Sequence, residues 1–390
     1  MNILFFDILI SGHHSEYIEH VLMYLKCNNK NNNNYYFVVH QDFSESYPNI
    51  WKTASAINNI YFIEVDKSLL IGLAVKNRFS RSLNNFKVVD FYAKKFSINV
   101  CYLLYFNTFQ IALGLKKTKY KIRGILFMQF TNMTKITLKQ KYYYYRRYFP
   151  LSLCLKNKFL DKIFILNDEK SCSVLNYRFK KNNLFSYLPD PIPNLVPQAN
   201  FNIYREYKIE NNRKIFLLFG ALSERKGIIE TLLSVNFLNQ ENQEKVAIII
   251  AGKTKDLNLS NYIKGFIKEN KNKTKVQITW DNNFIENSKM ASLFQQTDFV
   301  LMPYKNPEAS SGILGHAMKA RKPVIGPYKG LIGSIISEYK TGLLIKDITP
   351  KEIANAISNH NNIEEIDENN LNHFLETHTV TNFAKTLLCN

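Results

Sequence analysis

Glu308 is the residue of this chain with the clearest chemical use. It stands in the polar segment 304–312, YKNPEASSG, after a short apolar run of Phe299, Val300, Leu301 and Met302 that stops at Pro303. A carboxylate has no structural duty in such a loop, and it accepts hydrogen bonds from sugar hydroxyls. Ser310, Ser311 and Gly312 follow it and open a helix whose apolar residues Ile313, Leu314, Ala317 and Met318 recur at helical spacing. Free N–H groups and the positive dipole end at a helix start hold a phosphate; the same three residues also make an ordinary cap and turn. A second group is the pair Arg225 and Lys226 in the loop 220–227, GALSERKG, which begins at Gly220. Two cations beside a glycine turn either meet an anionic group or form a solvated surface pair. A third group is Gly12, His13 and His14 after the first apolar run. Imidazoles there either touch a substrate or cap the following helix.

The elements that position these groups alternate between strand and helix. Strands are expected at 3–10, 35–39, 61–65, 124–129 and 163–167, with helices from Tyr17 to Leu25 and at 168–175; residues 100–115 carry mixed signals. In the second half, strands are expected at 215–219, 246–252, 276–280, 299–302, 324–325 and 342–345, with helices at 228–237, 288–296, 313–320, 350–358 and 382–388. Such alternation predicts an α/β fold with parallel sheets, which bind ligands outside the carboxyl ends of their strands. The proline-rich stretch 187–193, YLPDPIP, reads as a linker. It divides the 390 residues into domains 1–195 and 196–375, with a terminal helix at 376–390.

Composition narrows the function classes. A hydrophobic content of 46% and charged content of 21% are globular. No apolar run reaches the roughly 20 residues needed to span a bilayer, and the N-terminus lacks the features of a signal peptide, so a cytoplasmic protein is expected. Five scattered cysteines without paired spacing fit buried thiols and argue against a zinc site or disulfide framework; no metal site is expected. The net charge of +19 is concentrated in the first half, which has 27 Lys and Arg against 12 Asp and Glu up to Leu195; the rest has 24 against 20. No acidic residue lies between Phe91 and Leu160. The segments 116–123, KKTKYKIR, and 139–158, KQKYYYYRRYFPLSLCLKNK, mix cations with aromatic and apolar residues. An anionic membrane surface, nucleic acid and plain solvent all suit that mixture. The residues alone leave these open; the preference for membrane attachment, with no nucleic acid expected, comes from the lipid-linked acceptors common in the family that segment 298–326 resembles.

The segment 298–326 resembles the nucleotide-sugar site of the retaining glycosyltransferases of GT-B fold, glycosyltransferase family 4 in particular. Pro303, Glu308, Gly312, Ala317, Met318, Pro323 and Val324 match that family's pattern, and His316 stands where it has a second glutamate. Gly220, Leu222, Lys226 and Gly227 match its glycine loop, in which Ala221 replaces an arginine. The resemblance implies two Rossmann-like domains facing a cleft. The first would be on the acceptor side and the second would bind the nucleotide sugar, with the terminal helix returning to the first. It implies sugar transfer from a nucleotide diphosphate donor to a glycan or lipid-linked acceptor, with retention, without a metal or other cofactor, in the making of a bacterial surface polysaccharide at the inner face of the cell membrane. Glu308 would face the donor sugar, Lys226 with Arg225 the diphosphate, and His316 the ribose. Gly220, Ser310, Ser311 and Gly312 would line the phosphates, and Gly12, His13 and His14 would stand between donor and acceptor. The alternative is a non-catalytic nucleotide-sugar or membrane-surface binding protein of the same fold, marked by the changes at Ala221 and His316.

Overall fold

The computed structural model describes residues 1–10, 14–28, 32–70, 77–362 and 366–389. Its contacts separate into two units, Met1–Pro189 with Val380–Asn390, and Asp190–Thr379. Both are parallel sheets with helices on both faces, the architecture of Rossmann-like α/β domains.

The first unit holds seven strands, β1 (Asn2–Asp7), β2 (Asn34–Val39), β3 (Ile60–Glu64), β4 (Val100–Leu103), β5 (Lys121–Ile125), β6 (Leu160–Leu166) and β7 (Phe185–Leu188), in the order β3-β2-β1-β4-β5-β6-β7. Successive residues of a strand point to opposite faces. In β1, Leu4 and Phe6 therefore enter one core with Val38 and Leu103, while Ile3 and Phe5 enter the other with Phe37 and Tyr102. Phe5 stacks on Phe37 and on Tyr102, both with ring centres 4.8 Å apart. The terminal helix Val380–Cys389 completes the second of these cores through Phe383, Ala384 and Leu387, and Phe383 stacks on Tyr17 of helix His14–Asn28.

Residues 100–115 resolve into β4, a single turn at Phe106–Thr108 and helix Gln110–Leu115. The basic run 116–123 is divided. Tyr120 and Ile122 are buried, and Arg123, on β5, is held by Asp161 at 2.6 Å and by the Tyr102 hydroxyl at 2.9 Å. Segment 139–158, in contrast, lies largely in one helix, Leu138–Cys154, started by Thr137 and Gln140 in a reciprocal cap. Cys101, Cys154 and Cys172 are buried, and burial pushes the Cys172 thiol up to about 12; Cys27 and Cys389 are exposed. Among the described residues no helix is long and apolar enough to cross a membrane.

The second unit holds β8 (Lys214–Phe219), β9 (Val246–Ala251), β10 (Gln277–Asp281), β11 (Phe299–Leu301), β12 (Val324–Pro327) and β13 (Gly342–Ile345), in the order β10-β9-β8-β11-β12-β13. Every residue of β9, VAIIIA, is buried, as expected of a strand covered on both faces. Strand order reverses between β1 and β4 in the first sheet and between β8 and β11 in the second. At such a switch point the loops leaving the two neighbouring strands part and leave a crevice at their carboxyl ends.

Candidate functional site

The switch point of the second sheet is built from the loops after β8 and β11. β8 ends at Phe219, and Gly220 follows with φ +107, a conformation that L side chains rarely adopt. The chain then passes Leu222, bridged to Thr254, makes one tight turn at Glu224–Lys226, and enters helix Ile228–Ser234 through Gly227 at φ +69. Gly227 is required there because a Cβ would lie 2.2 Å from the Pro303 carbonyl oxygen at the end of β11. Close approach of the two loops is therefore written into the glycine positions. A backbone bond from the Lys305 N–H to the Arg225 carbonyl, 2.8 Å, ties them together.

Lys226 lies between these loops and is only 4% exposed. Its ammonium donates to the Phe219 carbonyl at 2.7 Å and to the Tyr304 hydroxyl at 3.1 Å. A Cβ on Gly220 would fall 2.9 Å from Nζ and 3.5 Å from Cδ1 of Ile313, so the ammonium stands over the glycine and beside the first turn of helix Gly312–Lys319. Among the described residues no carboxylate pairs with Lys226. An ammonium has three N–H donors, and the protein uses two. A buried cation without a counter-charge is costly, and an anion at the third donor removes that cost. Arg225 is exposed, its guanidinium 5.8 Å from the Tyr304 ring centre.

Glu308 is half-buried in the loop before helix Gly312–Lys319 and has neither hydrogen bond nor ion pair among the described residues. The loop itself is fixed. The Pro307 carbonyl accepts from Ile332 N–H at 3.2 Å, and Gly330, at φ +76, comes so close that a Cβ would lie 2.5 Å from that oxygen. Ser311 caps the helix in an extended conformation without a side-chain bond, so its first amides lack a partner from that side chain. The Ser310 hydroxyl donates to Asp190 at 2.8 Å, which leaves phosphate contact at this point to backbone amides. His316 is half-buried one turn into the helix, its ring 5.7 Å from that of Phe294. Gly220, Arg225, Lys226 and the start of helix Gly312–Lys319 are thus brought together, with Tyr304 as the partner that sequence reasoning missed.

Asp190 adjoins His378, which is buried and stacked on Phe374 with ring centres 3.6 Å apart; its Nδ1 donates to the Phe374 carbonyl at 2.7 Å. Burial pushes this imidazole down from 6.5 to about 4. The folded state thus holds it neutral while the unfolded chain protonates it below about pH 6.5. Its contribution to stability is complete above that pH and is lost as pH falls towards about 4, by roughly 3 kcal/mol in all. Urea unfolding at pH 7.5 and 4.5 should show His378→Gln reducing the difference seen in the wild type; an unchanged difference counts against the assignment.

In the first unit, Gly12 and His13 lie outside the described residues. His14 sits beyond the carboxyl end of β1, its Nδ1 2.6 Å from Oδ2 of the buried Asp7. Its ring packs edge-on against Tyr105, 5.4 Å between centres, after β4. The carboxylate fixes the ring through Nδ1, so Nε2 is the nitrogen left for a ligand. The loop after β5 is held from beneath by Asp168, which accepts from Gln129 at 3.0 Å and Asn132 at 2.7 Å.

With this geometry in hand, comparison with known proteins defines the class. Residues 200–370 match the family model of glycosyl transferases group 1. A glycosyltransferase from Rickettsia africae aligns with a TM-score of 0.65 at 17% identity over 99% of this chain and 96% of that one. Sucrose-phosphate synthase of Thermosynechococcus elongatus gives 0.69 at 14%, over 99% and 96%. HepE of Anabaena, crystallised with UDP and glucose, gives 0.64 at 14%, over 98% and 97%. No curated protein matches in sequence. At these identities the structural likeness establishes the fold, which is GT-B. The chain has the GT-B fold, and residues 200–370 of its second unit match the group 1 glycosyl transferase model.

Proposed function

We propose that the chain is a retaining glycosyltransferase of the family 4 kind, moving a sugar from a nucleotide diphosphate to a glycan or lipid-linked acceptor. The observation that supports this reading is Lys226, a buried ammonium at the β8/β11 switch point with one donor unused and no carboxylate to balance it among the described residues. In the reaction the bond from the anomeric carbon to the diphosphate oxygen breaks, and the electron pair leaves with the nucleotide. Lys226, Arg225 and the first amides of helix Gly312–Lys319 meet that charge without needing a metal or other cofactor. Glu308 orients the sugar and opposes the positive charge at its anomeric carbon, while the acceptor hydroxyl forms the new bond and passes its proton to the departing diphosphate oxygen. His316 faces the ribose. In the first unit, His14 offers Nε2 as a hydrogen-bonding group for a substrate hydroxyl. The acceptor belongs to a bacterial surface polysaccharide, and the enzyme works in the cytoplasm at an anionic membrane surface, held there by the basic first unit.

Glu308→Gln keeps the shape of the loop and removes the charge. We expect turnover to fall by about 10²–10³-fold with donor affinity within a few-fold of wild type, because the carboxylate acts on charge that exists only in the transition state. Steady-state kinetics separate the two, and NMR of the product reads the anomeric configuration. Wild-type turnover in Glu308→Gln, or an inverted product, contradicts the assignment.

A further inference from the structure

Helix Leu138–Cys154 has two faces that are both aromatic. Tyr144 and Leu151 turn into the core. Tyr142, Tyr145, Arg146, Phe149 and Pro150, spaced three and four residues apart, form a stripe on another side. That stripe is left open: Tyr142 is 61% exposed and Phe149 62%. With Arg78, the first residue of helix Arg78–Lys95, it lines a groove of about 590 Å³. A hydrophobic stripe of this size on a helix whose opposite side already fills the core has no folding role.

Among the described residues, the charged side chains that line the groove, Arg78 and Arg146, are both cations. Arg78 is half-buried and donates through Nη1 to the Arg146 backbone carbonyl at 2.6 Å, which brings its guanidinium onto the stripe. Neither Arg78 nor Arg146 has an ion pair among the described residues. Desolvation, then the charges of Arg146 and Arg147, hold the Arg78 guanidinium below its ordinary range. At the start of the helix, Ile136 and Leu138 are 81% and 85% exposed, which adds apolar surface there.

We infer that this groove binds the phosphate-bearing headgroup of a membrane lipid between Arg78 and Arg146, with the lipid's apolar part along Tyr142, Tyr145 and Phe149. The two guanidinium groups supply the forked donors that a phosphate matches, and tyrosine rings beside cations suit the interfacial layer of a bilayer. A single-stranded nucleic acid also pairs phosphates with rings. The exposed Ile136 and Leu138 favour the lipid, since aliphatic side chains offer no face for a base. The inference deepens the membrane part of the proposed function by naming the place of attachment, and it does not depend on sugar transfer.

Flotation of the full-length protein with vesicles tests it, using phosphatidylcholine alone and with one part in five of phosphatidylglycerol, at fixed salt. We expect binding to the anionic vesicles only. Arg78→Gln with Arg146→Gln should weaken it by about tenfold or more, Tyr145→Ser with Phe149→Ser comparably, and the control Lys139→Gln with Lys141→Gln by clearly less. Thermal unfolding checks that each variant folds. Equal loss in the control pair overturns the groove while leaving a general electrostatic attraction to membranes. No binding of the wild type overturns the groove and membrane attachment together. Displacement from vesicles by a short single-stranded oligonucleotide, lost in Arg78→Gln with Arg146→Gln, overturns the lipid in favour of nucleic acid.

Discussion

Lys226→Ala is expected to lower sugar transfer by about 10²–10³-fold, the scale for removing one donor aimed at developing charge in a water-poor site. The same substitution leaves the fold largely intact, because the ammonium supports no packing that alanine and a water molecule cannot replace at the Phe219 carbonyl and the Tyr304 hydroxyl. Lys226→Arg should not restore activity. Gly220 leaves the ammonium so little room that even a Cβ there would stand 2.9 Å from Nζ, and a guanidinium is larger. Transfer assays on the three proteins, with unfolding curves as a check, decide the matter. Near wild-type rates in Lys226→Ala mean that the diphosphate is held elsewhere.

Gly252→Val carries the second large effect, and it acts through shape alone. Gly252 has φ +136, and a Cβ there would meet the Gly220 carbonyl oxygen at 2.1 Å, a distance no neighbour can relieve because both atoms belong to fixed backbone. The Gly220 N–H is bound to the Ala251 carbonyl at 2.9 Å, so the loop under Lys226 must shift as a whole. We expect a loss of stability of more than about 2 kcal/mol, together with loss of whatever ligand the loop holds. Gly265→Ala is the natural comparison. It lies inside helix Leu257–Asn270 with nothing within 4 Å of the added Cβ, and it should gain about 0.5–1 kcal/mol. Urea denaturation of both variants reads the difference, and equal midpoints would contradict the role given to Gly252.

Most parallel strands of the second unit were legible in the sequence as short apolar runs, VAIIIA in β9 being the plainest, while the edge strand β10, QITWD, alternates polar and apolar residues. The loops that matter were legible as glycine and proline punctuation around charged residues, which is how Lys226 and Glu308 stand out. Their partners were not. Tyr304 lies 78 residues from Lys226, and Asp190 lies 120 residues from Ser310, so no local spacing connects them. Asp7 and His14 are only seven residues apart, yet the strand end between them hides the pairing from any helical or strand period. Helix Leu138–Cys154 was masked for a different reason. Its tyrosines fall on both the buried and the open side, so the usual single apolar stripe is absent. The basic run at 116–123 reads as one surface, but strand pairing buries alternate residues and places Arg123 on Asp161.

The central claim is that the loops at the β8/β11 switch point bind a nucleotide diphosphate sugar through Lys226. Calorimetric titration of the wild type and of Lys226→Ala with UDP-, GDP-, ADP- and CMP-sugars tests it most directly. The account predicts saturable one-to-one binding of a nucleoside diphosphate sugar to the wild type, weakened about tenfold or more by Lys226→Ala. No saturable binding by folded wild-type protein across the set, or equal affinity in Lys226→Ala, would contradict it.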